Sequence, residues 1–439
     1  MGKPSSSSNS SKKYVINTSW ILVEKMSRII SGILVGVLVA RYLGPEKFGL
    51  ISYALNVVAI FTIFSTLGLD SIVVRELITR NDKKDEILGT SFLLRLIGSL
   101  IVVIIATVYS SMRDNHQQTF IVFLVSLSII LQSFTVVDFY FQSKALGKLT
   151  AINQVITLFL SSIVKIVFIY IKAPLEYFAS MVLFEATLTA INQYLFYKNR
   201  GENVFIWRFS FIEAKELLSH SWPIIISGLI MVIYQKMDQI LIKRFLDLTL
   251  LGNYAAAIRM SEASYFIPVA ICAAVFPGIV NARDNKELQV KRLTQLYSLL
   301  IWSGIIISIG GVILGNWVIG FMYKEKFALA APVFKIHILS TIPIFFGTAW
   351  GIWMIAQNKQ KRIIYLQIIS LVSCFILHIN LIPKLGINGA AYSVVINNYI
   401  GLITLILSDK PKESINLFIN AFNPKHLIDI YKYYMTSKG

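Results

Sequence analysis

The sequence predicts an all-α integral membrane protein with about twelve transmembrane helices. Of its 439 residues, 56% are hydrophobic and only 15% are charged. A helix that crosses a bilayer needs about 20 apolar residues, so this composition suffices for about a dozen crossings. Soluble proteins carry about 25% charged residues. The composition therefore excludes a soluble enzyme.

Charged or turn-forming residues divide the chain into twelve apolar runs, which we interpret as spans. The first six runs are 17–40, 48–69, 87–109, 119–141, 151–171 and 175–197. The second six are 218–242, 251–278, 293–321, 331–356, 363–381 and 387–408.

The longest internal break separates the two groups of runs and suggests a division into two six-helix lobes. We predict five segments: a disordered tail (1–16), a first lobe (17–197), a linker (198–217), a second lobe (218–408) and a C-terminal tail (409–439). The C-terminal tail contains a stretch that fits either an interfacial amphipathic helix or a frayed end.

The basic residues predict that both termini lie in the cytoplasm. The formal net charge is +18. Even-numbered loops between the predicted spans hold about twice as many Lys and Arg residues as odd-numbered loops, and both tails add to the same side. An excess of cytoplasmic Lys and Arg fixes the orientation of a membrane protein. It also explains the positive charge without a nucleic-acid partner.

A weak internal repeat supports two lobes that run in the same direction. Trp20 opens the first span and Trp222 opens the seventh. The segment 41–43 (Arg-Tyr-Leu) returns as 244–246 (Arg-Phe-Leu). An even number of helices separates the two copies, so the repeat is parallel. Transporters built from such repeats bind substrate near the middle of the membrane.

Charged residues within the predicted spans are the strongest sign of function. Such groups are costly in lipid and normally face a polar cavity or a partner. The basic ones are Lys25, Arg28, Arg95, Lys165, Lys236, Arg259 and Lys335. The acidic ones are Glu24, Asp138, Glu185, Asp238 and Glu262. Lys335 and Asp138 lie near span ends, where a charged side chain can reach the interface.

The first span places three charged residues on one helical face. Glu24 and Arg28 are four residues apart, and Lys25 and Arg28 are three apart. A Glu24–Arg28 pair offsets part of the cost of insertion and leaves one positive charge. The face then forms a cationic cavity wall, or the pair serves only to orient the helix.

The other charged residues predict a cavity that is cationic overall. Arg95 and Lys165 have no acid within a helical turn, so we expect water or an anionic ligand to compensate them. In the seventh span, Lys236 and Asp238 do not face each other, whereas Arg259 can pair with Glu262 in the eighth.

This inventory leaves two excess positive charges in the spans and favours a phosphate-bearing or acidic substrate. The predicted substrate-binding set is Lys25, Arg28, Arg95, Lys165, Lys236 and Arg259. Glu24, Asp238 and Glu262 are the candidates for gating or for coupling to an ion.

Motifs of enzymes and metal sites are missing from the sequence. It contains no complete P-loop, no His-Glu-x-x-His and no Gly-x-Ser-x-Gly. We therefore predict no enzyme activity, no cofactor and no metal. Cys272 and Cys374 lie in apolar runs and are expected to pack in the core rather than form a disulfide. His337 and His378 are likewise expected to be packing residues.

Several segments resemble bacterial polysaccharide flippases. The most specific is 17–49, which runs from Asn-Thr-Ser-Trp through Glu24 and Arg28 to Arg-Tyr-Leu-Gly-Pro-Glu-Lys-Phe-Gly. Looser matches lie at 67–76, 236–239, 254–259 and 385–391. These features are similar to the O-antigen and capsule repeat-unit transporters of the Wzx type. That family is part of the multidrug/oligosaccharidyl-lipid/polysaccharide (MOP) exporter superfamily.

The resemblance implies a V-shaped pair of six-helix lobes and a flippase function. Such proteins move an undecaprenyl-pyrophosphate-linked oligosaccharide from the cytoplasmic to the periplasmic leaflet of the bacterial inner membrane. The resemblance also implies coupling to H+ or Na+ and work beside a polysaccharide polymerase and a chain-length regulator. By similarity, Glu24, Arg28, Lys236, Asp238 and Arg259 line or gate the cavity.

Three alternatives remain at this stage. The first is another exporter of the same superfamily, either a multidrug exporter or the peptidoglycan lipid-precursor flippase. The second is a membrane enzyme such as a polymerase, although the outer loops are too short for a catalytic domain. The third is a passive channel, which the unsymmetrical charges of the spans disfavour.

Overall fold

The computed structural model describes residues 6–408 and 411–426, and every regular element in these residues is helical. The chain divides into two compact units, Met1–Lys236 and Met237–Gly439. By length and composition, nine helical segments of the described residues can cross a membrane. The all-α membrane architecture predicted from composition is therefore present.

The helices of the first unit follow the predicted runs closely. They are α1 (Ser6–Thr66), α2 (Asp70–Thr79), α3 (Lys84–Ser111), α4 (His116–Gln132), α5 (Val136–Ser143), α6 (Gly147–Tyr170) and α7 (Leu175–Lys198). Helix α8 (Phe211–Phe245) begins in the first unit and ends in the second.

The second unit continues with seven further helices in the described residues. They are α9 (Leu248–Glu262), α10 (Phe266–Val280), α11 (Lys286–Tyr323), α12 (Ala330–His337), α13 (Thr341–Ala356), α14 (Gln360–Ser408) and α15 (Pro411–Ala421). Helix α15 packs against α11 and α14, so the first part of the predicted C-terminal tail is an ordered helix.

Two long helices are interrupted at glycines where the sequence predicts a break between spans. In α1 the interruption is Gly44, whose φ of 76° lies in the left-handed region that favours glycine. Pro45 follows, and proline suits the first turn of the next helix. Helix α14 is interrupted in the same way at Gly386. Each of these helices therefore contains two of the predicted runs.

Three predicted runs are divided by one turn of 3₁₀ helix. These turns are Ser133–Thr135, Ala263–Tyr265 and Ile338–Ser340. Hydropathy does not reveal them, because the flanking residues remain apolar. Short 3₁₀ segments inside a helical run often mark a hinge or local strain.

Two predicted segment boundaries need correction. Helix α1 begins at Ser6, so residues 6–16 are helical rather than disordered, and residues 1–5 lie outside the described part. The sequence has no glycine or proline between Pro4 and Gly32 that would oppose a helix there. The predicted linker is also shorter, because α8 begins at Phe211.

The remaining linker belongs to the first unit and packs against the start of α3. The backbone of Arg208 passes so close to Gly89 that a Cβ atom there would lie 2.6 Å from the Arg208 carbonyl oxygen. The Arg208 amide donates to the Asp85 carbonyl at 3.2 Å. The Ser210 amide donates to the Thr90 hydroxyl at 3.0 Å. The linker is thus fixed to the start of α3.

A four-residue ion cluster joins α2 to the start of α8. Arg80 donates from Nε to Glu76 at 2.8 Å and from Nη2 to Glu213 at 2.8 Å. Its Nη1 also donates to Glu216 at 3.1 Å. The side chain of Glu213 is only 3% exposed, so this cluster is buried in the first unit at that residue.

A second contact holds the linker through Glu202. Its carboxylate accepts hydrogen bonds from Lys84 and from the Tyr140 hydroxyl, the latter at 2.7 Å. Burial alone would raise the pKa of the Glu202 carboxyl, but these two donors hold the pKa below its usual value. The ionised form of Glu202 therefore stabilises the docked linker.

Each unit has its own apolar core. In the first unit, Leu69, Val73, Val136 and Leu217 are buried together and join α2, α5 and the start of α8. In the second, the rings of Tyr297 on α11 and Phe346 on α13 pack in a tilted arrangement, with their centroids 4.7 Å apart, within a larger cluster. The two cysteines are buried and unpaired, as the sequence predicts.

Candidate substrate-binding residues

The charged face predicted for the first span is present, and a residue on a second helix also contacts it. Arg28 donates from Nε to Glu24 at 2.9 Å, one helical turn earlier. Its Nη2 also donates to Gln154 on α6 at 3.3 Å. The Arg28 side chain is 57% exposed, whereas that of Glu24 is 12% exposed. The side chain of Lys25, predicted to share this face, lies outside the described part of the chain.

The Glu24–Arg28 pair fixes a guanidinium at the surface of the first unit. Two partners orient Arg28, and more than half of its side chain stays accessible. Arginine binds phosphate and carboxylate well because its planar donors match two oxygens at once. This arrangement suits contact with an anionic group.

The expectation for Arg95 is wrong in one respect. Arg95 on α3 has an acidic partner, because its Nη1 donates to Asp70 on α2 at 2.9 Å. Its side chain is only 5% exposed, and its guanidinium carbon lies 5.3 Å from the centre of the Phe139 ring. Asp70 is far from Arg95 in sequence, so helical spacing did not reveal the pair.

The same correction applies to Lys165. Its Nζ donates to Glu185 on α7 at 2.6 Å, and both side chains are about 30% exposed. Glu185 was already among the charged residues of the spans, but the pairing of α6 with α7 is needed to bring the two together. Neither Arg95 nor Lys165 therefore depends on an anionic ligand for compensation.

Asp138 also differs from its prediction. It does not reach the interface but is 8% exposed, within the first unit. Its carboxylate accepts hydrogen bonds from the Thr150 hydroxyl at 3.1 Å and from the Gln193 amide at 2.9 Å. These donors come from α6 and α7, so α5 is tied to both helices through one acid.

The acid of the seventh span has a neutral partner. Asp238 is buried and accepts a hydrogen bond from the Tyr254 hydroxyl at 2.7 Å. Its other oxygen accepts from the backbone amide of Gln239 at 2.7 Å. Lys236 is half-buried on the same helix, α8. The partner of Asp238 is therefore Tyr254 on the next helix, α9.

The remaining predicted residues lie at the end of α9. Arg259 and Glu262 are both exposed there. Between them, Ser261 is buried and its hydroxyl lies 2.6 Å from Nδ1 of His337. His378 is also buried, with Nδ1 2.7 Å from the Cys374 carbonyl oxygen. Both histidines are thus buried, as expected of packing residues.

Sequence reasoning missed the residues that hold the predicted cations and acids. Besides Thr150 and Tyr254, they include Asp70, Gln154 and Gln193, which contact Arg95, Arg28 and Asp138. The apolar runs place Asp70 in a loop, and spacing within one helix gives no signal for an amide on another helix. The sequence does offer one signal. A charge buried in a span is costly without a partner, so a polar group is expected on a neighbouring helix.

A family model described as "Polysaccharide biosynthesis protein" matches residues 38–332 of this chain. This match covers about two thirds of the sequence. The chain belongs to this family.

Individual relatives align over different lengths. The capsular polysaccharide biosynthesis protein CapF of Staphylococcus aureus is 21% identical over 401 residues, covering 89% of this chain and 98% of CapF. A probable lipid II flippase MurJ of Helicobacter pylori is 27% identical over 150 residues. That second match spans only 32% of this member of the family and 32% of MurJ.

Solved structures of low sequence identity share the fold. A lipid II flippase MurJ in an inward closed conformation matches with a TM-score of 0.74 and 14% identity, covering 96% of this chain and 93% of MurJ. An inward-facing multidrug resistance MATE transporter of the MOP superfamily matches with a TM-score of 0.70 and 15% identity. The second match covers 90% of this chain and 95% of the transporter. This family member therefore has the fold of MOP-superfamily transporters.

Proposed function

We propose that this protein is a flippase for undecaprenyl-pyrophosphate-linked oligosaccharide repeat units of O-antigen or capsule. It carries them from the cytoplasmic to the periplasmic leaflet of the bacterial inner membrane. The supporting observation is the family match over residues 38–332, joined by the alignment with CapF along nearly its whole length. The MOP-type fold supports transport rather than catalysis as the activity.

The proposed topology has twelve crossings in two six-helix lobes arranged as a V. This count follows if α1 and α14 each cross twice, on either side of Gly44 and Gly386, and if α7 (Leu175–Lys198) crosses as well as the nine segments counted above. It places both termini in the cytoplasm, where the basic loops lie. The lobe boundary at the linker remains part of this proposal.

In the proposed mechanism, the lipid tail stays in the bilayer while the anionic head crosses a cationic central cavity by alternating access. We assign Lys25, Arg28, Lys236 and Arg259 to this cavity. Arg95 and Lys165 contribute less attraction than their charges suggest, because each is already paired with an acid. Of this set, Arg28 is oriented by Glu24 and Gln154 and remains exposed, so it is the candidate for holding a pyrophosphate oxygen.

Release of the head requires that these cations do not hold it too tightly. Glu24, Asp238 and Glu262 compete for the cations or carry a coupling H+ or Na+. An inside-negative membrane potential also favours outward movement of negative charge, by about 2.3 kcal/mol per charge per 100 mV. A polysaccharide polymerase and a chain-length regulator complete the proposed set of partners.

Deletion of the gene in its own host tests this function. Surface polysaccharide is measured on a gel, and lipid-linked sugars are extracted from membranes and from intact cells. The proposal predicts loss of surface glycan and accumulation of undecaprenyl-pyrophosphate-linked repeat units on the cytoplasmic face. Intact surface glycan in the deletion strain would overturn it.

A second candidate is supported by the similarity to MurJ and the MATE transporter. Under this alternative the chain flips the peptidoglycan lipid precursor or exports drugs. Expression of the chain in cells depleted of their own precursor flippase separates these cases. Rescue of growth favours the precursor flippase. Altered sensitivity to cationic drugs with intact glycan favours the exporter.

A further inference from the structure

One buried carboxylate, one exposed carboxylate and a buried guanidinium form a charged group in the first unit. Arg95 on α3 pairs with Asp70 on α2 and also acts electrostatically on Asp138 on α5. Asp70 is 65% exposed, whereas Arg95 is almost completely buried. One positive charge is thus shared between two negative charges, one exposed and one buried.

The compensation of Asp138 is incomplete. Its hydrogen-bond donors, Thr150 and Gln193, are neutral. The charged group acting on it from the helices packed against α5 is Arg95, and α6 and α7 contribute only the two neutral donors. A carboxylate removed from water is costly unless it is fully paired. The negative charge of Asp138 is therefore only partly compensated, and one added proton would neutralise it.

Gln193 offers the polar group that an added proton would need. This side chain is fully buried, and its Nε2 already donates to Asp138 Oδ2. Its Oε1 is buried and has no hydrogen-bond partner within residues 6–408 and 411–426. A rotated amide would present Oε1 instead, and this oxygen accepts a hydrogen bond from a protonated carboxyl group. One side chain can thus serve both states of Asp138.

We propose that Asp138 is a proton-binding site of the first unit. In the ionised state, Thr150 and Gln193 donate to the carboxylate and Arg95 is shared with Asp70. A proton from water then forms an O–H bond at Oδ2, the charge of Asp138 changes from −1 to zero, and the O–H donates to Gln193. Arg95 is then left to pair with Asp70 alone.

A proton fits this site better than a metal ion. Both groups that contact the Asp138 carboxylate are donors, and a cation would require them to turn their oxygens inward together. Within the described residues, no cluster of three or more His, Cys, Asp or Glu side chains is placed to hold a metal. A proton needs only the rotation of one amide.

Protonation would change the contacts of five helices in the first unit. Asp70, Arg95, Asp138, Thr150 and Gln193 lie on α2, α3, α5, α6 and α7. The link from this site to transport rests on the proposed flippase function, whereas the proton site itself does not. In that role, Asp138 would supply proton coupling at a place separate from Glu24, Asp238 and Glu262.

Infrared difference spectroscopy of the purified, full-length protein in lipid tests the site directly. Spectra recorded from acidic to neutral pH should show a carboxylic acid C=O band that disappears as the pH rises. This band should be absent in Asp138→Asn and retained in Glu185→Gln, the matched control for a span acid with its own lysine. In Gln193→Leu the band should shift, because the protonated acid loses its acceptor.

A band that survives in Asp138→Asn, or no titrating band in the wild type, would overturn the proposal. If Asp138→Asn does not fold, Asp138→Glu replaces it, and the band must then move. Glycan export is measured separately at several external pH values. A pH dependence lost in Asp138→Asn supports coupling, whereas an unchanged one refutes coupling. Failure of wild-type export would count against the flippase function and leave the spectroscopic result standing.

Discussion

Arg28 and Arg95 are both arginines of predicted membrane spans, yet they have opposite surroundings. Arg28 lies on α1 with 57% of its side chain exposed, and its acid is one turn away on the same helix. Arg95 is 5% exposed and takes its acid from another helix. The same residue type therefore presents a ligand-accessible cation in one place and a buried structural charge in the other.

The difference shows that a charge in a span is not by itself evidence of substrate binding. An exposed cation in high dielectric gains little from its ion pair, so it remains available to a ligand. A buried cation must be compensated within the protein, and removing it leaves an uncompensated carboxylate. Position, more than residue type, decides between the two roles, and the following variants test this distinction.

The largest effect is expected for Arg95→Ala. The substitution leaves Asp138 buried without a cation and removes the partner of Asp70. Loss of one member of a fully buried pair costs about 3–5 kcal/mol, and this is an upper bound here because Asp70 is 65% exposed. We expect a lower melting temperature in detergent and less protein in the membrane. A variant as stable as the wild type would show that Arg95 does not stabilise the fold.

Arg28→Ala should give the reverse pattern. Its removal should cost less stability than that of Arg95, because the Arg28 side chain is 57% exposed and only its partner Glu24 is buried. Export should fall by about tenfold, the equivalent of one charge-assisted hydrogen bond to the substrate. Flipping is measured at matched protein levels, with Arg28→Lys as the control that keeps the charge. Full export by Arg28→Ala would refute the assignment of Arg28 to the cavity.

Lys165→Met provides an intermediate case. Lys165 and Glu185 are each about 30% exposed, so solvent weakens the penalty for leaving the acid alone. We expect a loss of about 1 kcal/mol in unfolding free energy. The double variant Lys165→Met/Glu185→Gln should recover most of it. Absence of recovery in this double-mutant cycle would mean that the two side chains are not energetically coupled.

The smallest effect concerns Glu202, outside the spans. Its pKa is lower in the folded protein than in the unfolded chain, so its contribution is present above the unfolded pKa of about 4.3 and is lost as pH falls through the folded value. Protease cleavage of the linker should increase in that acidic range. Glu202→Gln should be cleaved similarly at neutral and acidic pH. Equal pH dependence in both proteins would exclude this role for Glu202.

Much of the fold was predictable because hydropathy is a local property. Apolar runs located the helices, and Gly44 and Gly386 lie where turn signals marked breaks. The Glu24–Arg28 pair was predictable for the same reason, since helical spacing alone brings the two residues together. The 3₁₀ turns and the docked linker were not, because they depend on packing between helices.

The sequence by itself determined the all-α membrane architecture, the approximate helix positions and the charged face of the first span. All three follow from composition and from spacing within one helix. Only the tertiary structure decided that Arg95 and Lys165 have acidic partners and that Asp138 is buried beside Gln193. The physical reason is that charge compensation depends on distance in space, and helix packing brings together residues that are far apart in the chain.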